Sequence, residues 1–408
     1  MPSAPSPNTA PRTKAGAAEA TPSSRVVWRS TFSGFCTSLV GIGLARFAYT
    51  PLLPALISAG WFDTGAAAYL GAANLAGYLC GTVLGGVGPR HVEARWLLRG
   101  AMVLATISLV ACAWPMGFAW FFAWRLLSGI AGGLAMVLAA PTILPHVPAA
   151  RHGLVGGAIF VGVGVGIALS GTLVPLLLLG GLTQAWLGLA LLSALATFAG
   201  WGGWPFPTAL GTPFVRRPAQ DRPARSLRVV YALYALNAFA FVAHMVFLVA
   251  FVAQGLGQGL EVSTRYWVLY GCGSIAGPVL AGRLADWIGF RDTASLIFGV
   301  ELLATGLLAL NTSVVALAAS SLAAGACTIG LVPIILGRTR ELLRDHPSAQ
   351  VGAWRTATVS FAVLQASGAY LMAFLLDQTG DYHLLFALAA GTMGLAMILD
   401  RTTGRSSS

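Results

Sequence analysis

Charge is what this sequence has least of: 9% of its 408 residues are Asp, Glu, Lys or Arg, against roughly 25% in an ordinary soluble domain. That scarcity excludes a water-soluble globular enzyme. The five cysteines, Cys36, Cys80, Cys112, Cys272 and Cys327, all fall in apolar stretches without CxxC spacing, which argues against disulfides and structural zinc. No HExxH motif, Walker loop or GxSxG elbow occurs, so nothing asks for a metal, ATP or another cofactor, and no nucleophile–base arrangement points to an enzyme. The first 25 residues lack the apolar core of a signal peptide. Their Ala, Pro, Ser and Thr fit a disordered cytoplasmic tail.

What is abundant is apolar. Hydrophobic types make up 57% of the chain and glycine contributes 50 residues, the composition of closely packed transmembrane helices. A bilayer core ~30 Å thick takes ~20 apolar residues in helix. Twelve stretches supply them, near 30–57, 66–87, 97–117, 118–143, 153–180, 185–205, 229–254, 265–284, 293–310, 313–336, 353–376 and 382–400. The expected fold is all-α and polytopic. Its parts are a tail (1–25), an N-terminal six-helix bundle (26–205), a Pro- and Arg-rich cytoplasmic linker (206–228), a C-terminal bundle (229–401) and a second tail (402–408).

The net charge of +11 lies in short basic stretches between apolar runs, which argues against a nucleic-acid partner. With the N-terminus inside, 21 of the 24 Lys and Arg residues fall on the cytoplasmic side. An even span count with both termini cytoplasmic, in the inner (plasma) membrane, follows. GTVLGGVGPRHVEAR from Gly81 aligns with GPVLAGRLADWIGFR from Gly277, and AAPTILPHV from Ala139 with LVPIILGRT from Leu331, at offsets of 196 and 192. Repeated six-span halves mark a secondary transporter with its site at the repeat interface.

Gly282-Arg-Leu284-Ala-Asp286-Trp-Ile-Gly289-Phe-Arg291 resembles the G-x-L-a-D-x-x-G-x-R loop signature of the major facilitator superfamily. Arg125-Leu-Leu-Ser-Gly129-Ile-Ala-Gly-Gly133 resembles its R-x-x-x-G-x-x-x-G element, and Gly43-Leu-Ala-Arg46-Phe47-Ala-Tyr49-Thr-Pro51-Leu-Leu-Pro54 is similar to the opening of the YbfB/YjiJ-like bacterial branch. The resemblance covers residues 30 to 400. It implies two pseudo-symmetric six-helix bundles working by alternating access. It also implies a latch: Asp286, within the signature Gly282, Asp286, Gly289 and Arg291, pairs with Arg283, or with Arg151 and the N-terminal end of the fifth helix, to hold the cytoplasmic side shut. A plain surface charge is the alternative. In the N-half copy, Arg90 stands where Asp286 does and Glu93 replaces Gly289.

Arginine at the centre of a span costs ~2.5–3.5 kcal/mol on insertion scales, so it faces a cavity or a partner. Arg46, with Tyr49 three residues on, is the candidate for binding an anionic group, since a guanidinium forks onto carboxylate or phosphate. The competing reading has it holding carbonyls freed by Pro51 and Pro54. Arg125 shares a face with Gly129 and Gly133, which favours a structural role over substrate contact. In the seventh span Tyr234, Asn237, Phe241 and His244 form a stripe, and His244 is either a proton acceptor or a satisfied packing residue. Glu301 is the one carboxylate well inside a span and a candidate proton carrier, although the resemblance puts the ninth helix on the periphery. Asn74 and Tyr78 on the second span, and Thr358, Phe361 and Gln365 on the eleventh, are candidate cavity lining.

Together these point to a monomeric secondary transporter of a small organic anion, importing it with protons. Two rivals stand beside this reading: efflux of hydrophobic compounds along walls of Trp120, Trp124 and Phe241, and a non-transporting membrane sensor or scaffold.

Overall fold

The computed structural model describes residues 24–205 and 225–404. The expected N-terminal tail and most of the linker lie outside the described residues. Residues 225–228, expected in the linker, form the first turn of the seventh helix, and the last helix runs on to Gly404.

Twelve long helices make up the described chain. They are α1 (Arg25–Leu53), α2 (Thr64–Val87), α3 (Ala94–Ala111), α4 (Phe118–His146), α5 (Ala149–Leu178), α6 (Leu182–Gly200), α7 (Arg225–Gly255), α8 (Gly259–Ile288), α9 (Phe290–Leu310), α10 (Val314–Leu342), α11 (Pro347–Thr379) and α12 (Tyr382–Gly404). Eleven are long and apolar enough to cross a membrane. Their outer faces carry bare apolar side chains, Leu179, Phe198, Trp287 and Leu310 each being more than four-fifths exposed, as a lipid-facing surface requires. Polar caps set two of the starts. The Asp63 carboxylate accepts from Ala66 N at the head of α2, and Ser313 Oγ from Ala316 N at the head of α10.

Glycine seams build the two halves in the same way. A methyl on Gly77 or Gly81 of α2 would strike the Leu126 or Ile130 carbonyl of α4, and a methyl on Gly273 or Gly277 of α8 would strike that of Leu322 or Ala326 on α10. The reciprocal contacts are Gly129 on the Asn74 carbonyl and Gly325 on the Tyr270 carbonyl. Each pair maps onto its counterpart at the 196-residue offset of the sequence repeat. Backbones this close need residues without side chains.

Across the halves, α5 runs along α8 and α2 along α11. Gly153 meets Gly282, Gly157 meets the Pro278 carbonyl, and Gly164 meets Ser274. An even number of helices brings the start of α1, the end of α12 and the facing ends of α6 and α7 to one end of the bundle, here called the terminal end.

Candidate functional site

Two helices depart from regular α geometry, in three stretches at mid-depth or beyond. Residues Leu39–Phe47 of α1 and Ala243–Phe247 and Phe251–Gly255 of α7 are wound as π-helix. Such turns concentrate at functional sites. The α1 segment carries Arg46 and the first α7 segment carries His244.

Between the halves lies a cavity of ≈ 30 Å³, walled by Ile42, Phe47, Phe160, Phe241, Val332 and Phe361, with Arg46, Tyr78 and Thr328 as its polar lining. A water needs roughly 10–15 Å³ by this measure, so the space admits a water or two. An organic solute enters only when the halves part.

Arg46 is the charge in this cavity. Its Nη2 donates to Oε1 of Gln365 on α11 at 2.7 Å and lies 3.5 Å from Sδ of Met245 on α7. The guanidinium carbon sits 5.4 Å from the Phe47 ring centroid and 5.3 Å from that of Tyr78, within cation–π range. Its hydrogen bonds go to side chains of the other half, not to the carbonyls near Pro51. Among the described residues no carboxylate pairs with it.

Tyr49, Asn74 and Arg125 are not brought to the cavity. Arg125 is 3% exposed. Its Nη1 donates to the Ala45 carbonyl at 2.7 Å, and its guanidinium lies 4.3 Å from the Tyr49 ring centroid. Tyr49 Oη donates to the Ala67 carbonyl at 2.8 Å, and Asn74 Nδ2 donates to the Arg125 carbonyl and to Ser128 Oγ. These three residues bind α1, α2 and α4 together inside the N-terminal half.

The stripe expected on α7 divides. Phe241 reaches the cavity. Tyr234 stacks on Trp354 and Phe361 of α11, and Trp354 Nε1 donates to the Met136 carbonyl of α4 at 3.1 Å, closing the terminal side across the halves. Asn237 and His244 turn the other way, into a sealed compartment of the C-terminal half. There Asn237 Nδ2 donates to Oε2 of Glu301 at 2.6 Å. Ser320 Oγ spends its proton on the Ala304 carbonyl at 2.7 Å, so at 2.9 Å it accepts from His244 Nε2. The His244 ring stacks 6.3 Å from Tyr270 and meets Phe386 edge-on. Glu301 is 1% exposed. The resemblance put α9 on the periphery; this side chain nevertheless points inward, to α7.

Asp286, at the end of α8, crosses to the other half. Its Oδ1 accepts from Gly153 N at 3.0 Å and its Oδ2 from Leu154 N at 3.1 Å, capping α5. Four orphan N–H groups and the positive helix end make this a good seat for a carboxylate. Gly282 makes the approach possible by lying directly on Gly153. Gly289 has φ +91° and turns the chain from α8 into α9, a conformation that favours glycine. Of the expected partners, the N-terminal end of the fifth helix is the one engaged; Arg151 and Arg283 are exposed, and among the described residues neither pairs with Asp286. The aromatic wall is corrected too. Trp120 is 40% exposed and donates to the Ala111 carbonyl, and neither it nor Trp124 lines the cavity.

Tyr270, Ser320, Met245 and Trp354 belong to these sites and were not singled out from sequence. One signal was available: Tyr270 stands 196 residues after Asn74, at the matching place on the seam. Among the described residues no group of three His, Cys, Asp or Glu side chains gathers as a metal site.

The family model described as "Uncharacterised MFS-type transporter YbfB" matches residues 38–401. No curated protein matches the chain. Among solved structures, the human organic anion transporter MFSD10 (TETRAN) is similar at TM-score 0.73 and 19% identity, over 93% of this chain and 100% of that one. The E. coli fucose:proton symporter FucP is similar at TM-score 0.68 and 14% identity, over 91% and 98%, and its outward conformation at TM-score 0.69 and 13% identity over the same shares. At these identities the structures speak for the fold, while the sequence match spans most of the chain: this is a multi-pass membrane transporter of the major facilitator superfamily, belonging to its YbfB-type family.

Proposed function

We propose that the protein is a secondary active transporter of a small organic monoanion with an apolar body, taken up together with a proton by rocking of the two halves. The observation that carries this reading is Arg46: one guanidinium, unanswered by any carboxylate among the described residues, in a cavity whose other walls are almost wholly aliphatic and aromatic. A buried charge without a protein counter-ion is expensive, and a forked carboxylate or sulfonate satisfies it. A single cation fits one negative charge. The apolar walls suit hydrocarbon better than the hydroxyls of a sugar.

Glu301 supplies the proton site in this reading. It lies out of reach of the cation, bonded to Asn237, and a proton bound there offsets the charge of the anion. The organic anion named for MFSD10 and the proton named for FucP agree with this reading. The protein sits in the cytoplasmic membrane as a monomer with both termini inside. The test is uptake of p-toluenesulfonate, a permanently charged aromatic monoanion, into proteoliposomes. Accumulation under an inward proton gradient, with succinate and fucose not competing, is the expected result; competition by succinate and fucose as strong as by unlabelled p-toluenesulfonate overturns the substrate class.

A further inference from the structure

The Arg46–Gln365 hydrogen bond joins the two halves beside the cavity that Arg46 lines. Resting on the anion reading above, we infer that Gln365 is a built-in stand-in for the cargo: its amide oxygen occupies the place of one anionic oxygen, so that the unloaded transporter can close. Three features support this. The bond is short, 2.7 Å, and spans 319 residues of sequence, from α1 of one half to α11 of the other. Gln365 is 1% exposed, and its Nε2 lies 3.6 Å from the same Met245 sulfur that faces Arg46, so the amide is oriented with its oxygen toward the cation. The cavity that Arg46 lines, ≈ 30 Å³, is too small for cargo and guanidinium to be solvated together.

The choice of an amide has a consequence. An unpaired guanidinium resists enclosure between apolar walls, so without a partner the empty protein stays open and hydrated. A carboxylate in this position would pair with Arg46 permanently and exclude the anion. A neutral amide accepts one hydrogen bond, enough to let the empty form close, and yields to a carboxylate or sulfonate, which brings a counter-charge and accepts two parallel bonds from the guanidinium fork. Gln365 thereby sets whether the protein carries out net transport, which needs return of the empty form, or exchange, which does not.

The experiment is hydrogen–deuterium exchange of the full chain in lipid nanodiscs, comparing the wild type with Gln365→Leu and Gln365→Glu, first without ligand. Exchange is followed in peptides covering residues 39–47 and 361–368, after melting curves establish that each variant is folded. Loss of a hydrogen bond to a charged group shifts an equilibrium by about tenfold or more. Gln365→Leu is therefore expected to exchange about tenfold faster in both peptides, with benzoate restoring protection, and Gln365→Glu to exchange more slowly than wild type and ignore benzoate. Identical exchange in all three ligand-free proteins overturns the inference, as does slower exchange in Gln365→Leu. Should Gln365→Leu open as expected while benzoate protects none of the proteins, the anion reading fails instead. If Gln365→Leu does not fold, the slower exchange expected of Gln365→Glu decides.

Discussion

Asn237 on α7 donates its side-chain amide to Glu301 on α9 at 2.6 Å, in a compartment where both residues are at most 1% exposed. The pair lies beside the cavity and not in it, so in the proposed cycle a proton on the carboxylate would not touch the cargo.

Glu301→Gln keeps the shape and can still hydrogen-bond to Asn237, so the variant is expected to melt within a few degrees of the wild type. Proton-driven accumulation of p-toluenesulfonate is expected to vanish, while exchange of labelled for unlabelled anion across equal pH persists. Glu301→Leu, which leaves the Asn237 amide unpartnered, is expected to cost about 1–3 kcal/mol. Melting curves and the two flux modes check these outcomes.

The latch predicts a local effect. Asp286→Ala removes both acceptors from the start of α5, and caps of this kind are worth about 1 kcal/mol. Amide exchange across residues 149–157 is expected to rise severalfold, with Asp286→Asn intermediate because its amide oxygen still accepts from one N–H. Removing Arg151 is expected to leave this segment unchanged, since the carboxylate is held by main-chain amides.

The matched seams predict matched failures. Gly81→Leu and Gly277→Leu each drive a side chain into a neighbouring carbonyl, and overpacking of this kind costs about 1–3 kcal/mol or more. Both are expected to lower folded yield in detergent to a similar degree. Gly100→Leu, where a side chain meets open space, is expected to fold normally. Size-exclusion profiles of the three variants test this.

The spans were legible because hydrocarbon tolerates little else than apolar helix, and the pseudo-symmetry because a backbone contact at Gly81 or Gly277 admits no side chain. Arg46 was legible because a cation in a span must be answered. Which way each side chain faces was not. The π turn over Leu39–Phe47 breaks the register on which the i+3 partnership of Arg46 and Tyr49 was read, and the two residues point into different compartments. On α7 a three-residue step falls about 60° short of a full turn, enough to send Asn237 to Glu301 while Tyr234 goes to Trp354. Of the partners expected for Asp286, the start of the fifth helix holds it and the arginines do not, because N–H groups at a helix start need an acceptor whatever their side chains are.

The central claim is that Arg46 answers to the cargo, and the most direct measurement is binding of benzoate by titration calorimetry to the purified wild type and to Arg46→Gln, with Arg125→Gln alongside. Saturable binding to the wild type is expected, weakened by at least about tenfold, the share of one charge-assisted hydrogen bond, in Arg46→Gln, and retained in whatever fraction of Arg125→Gln is folded. Equal affinity in the wild type and Arg46→Gln contradicts the claim.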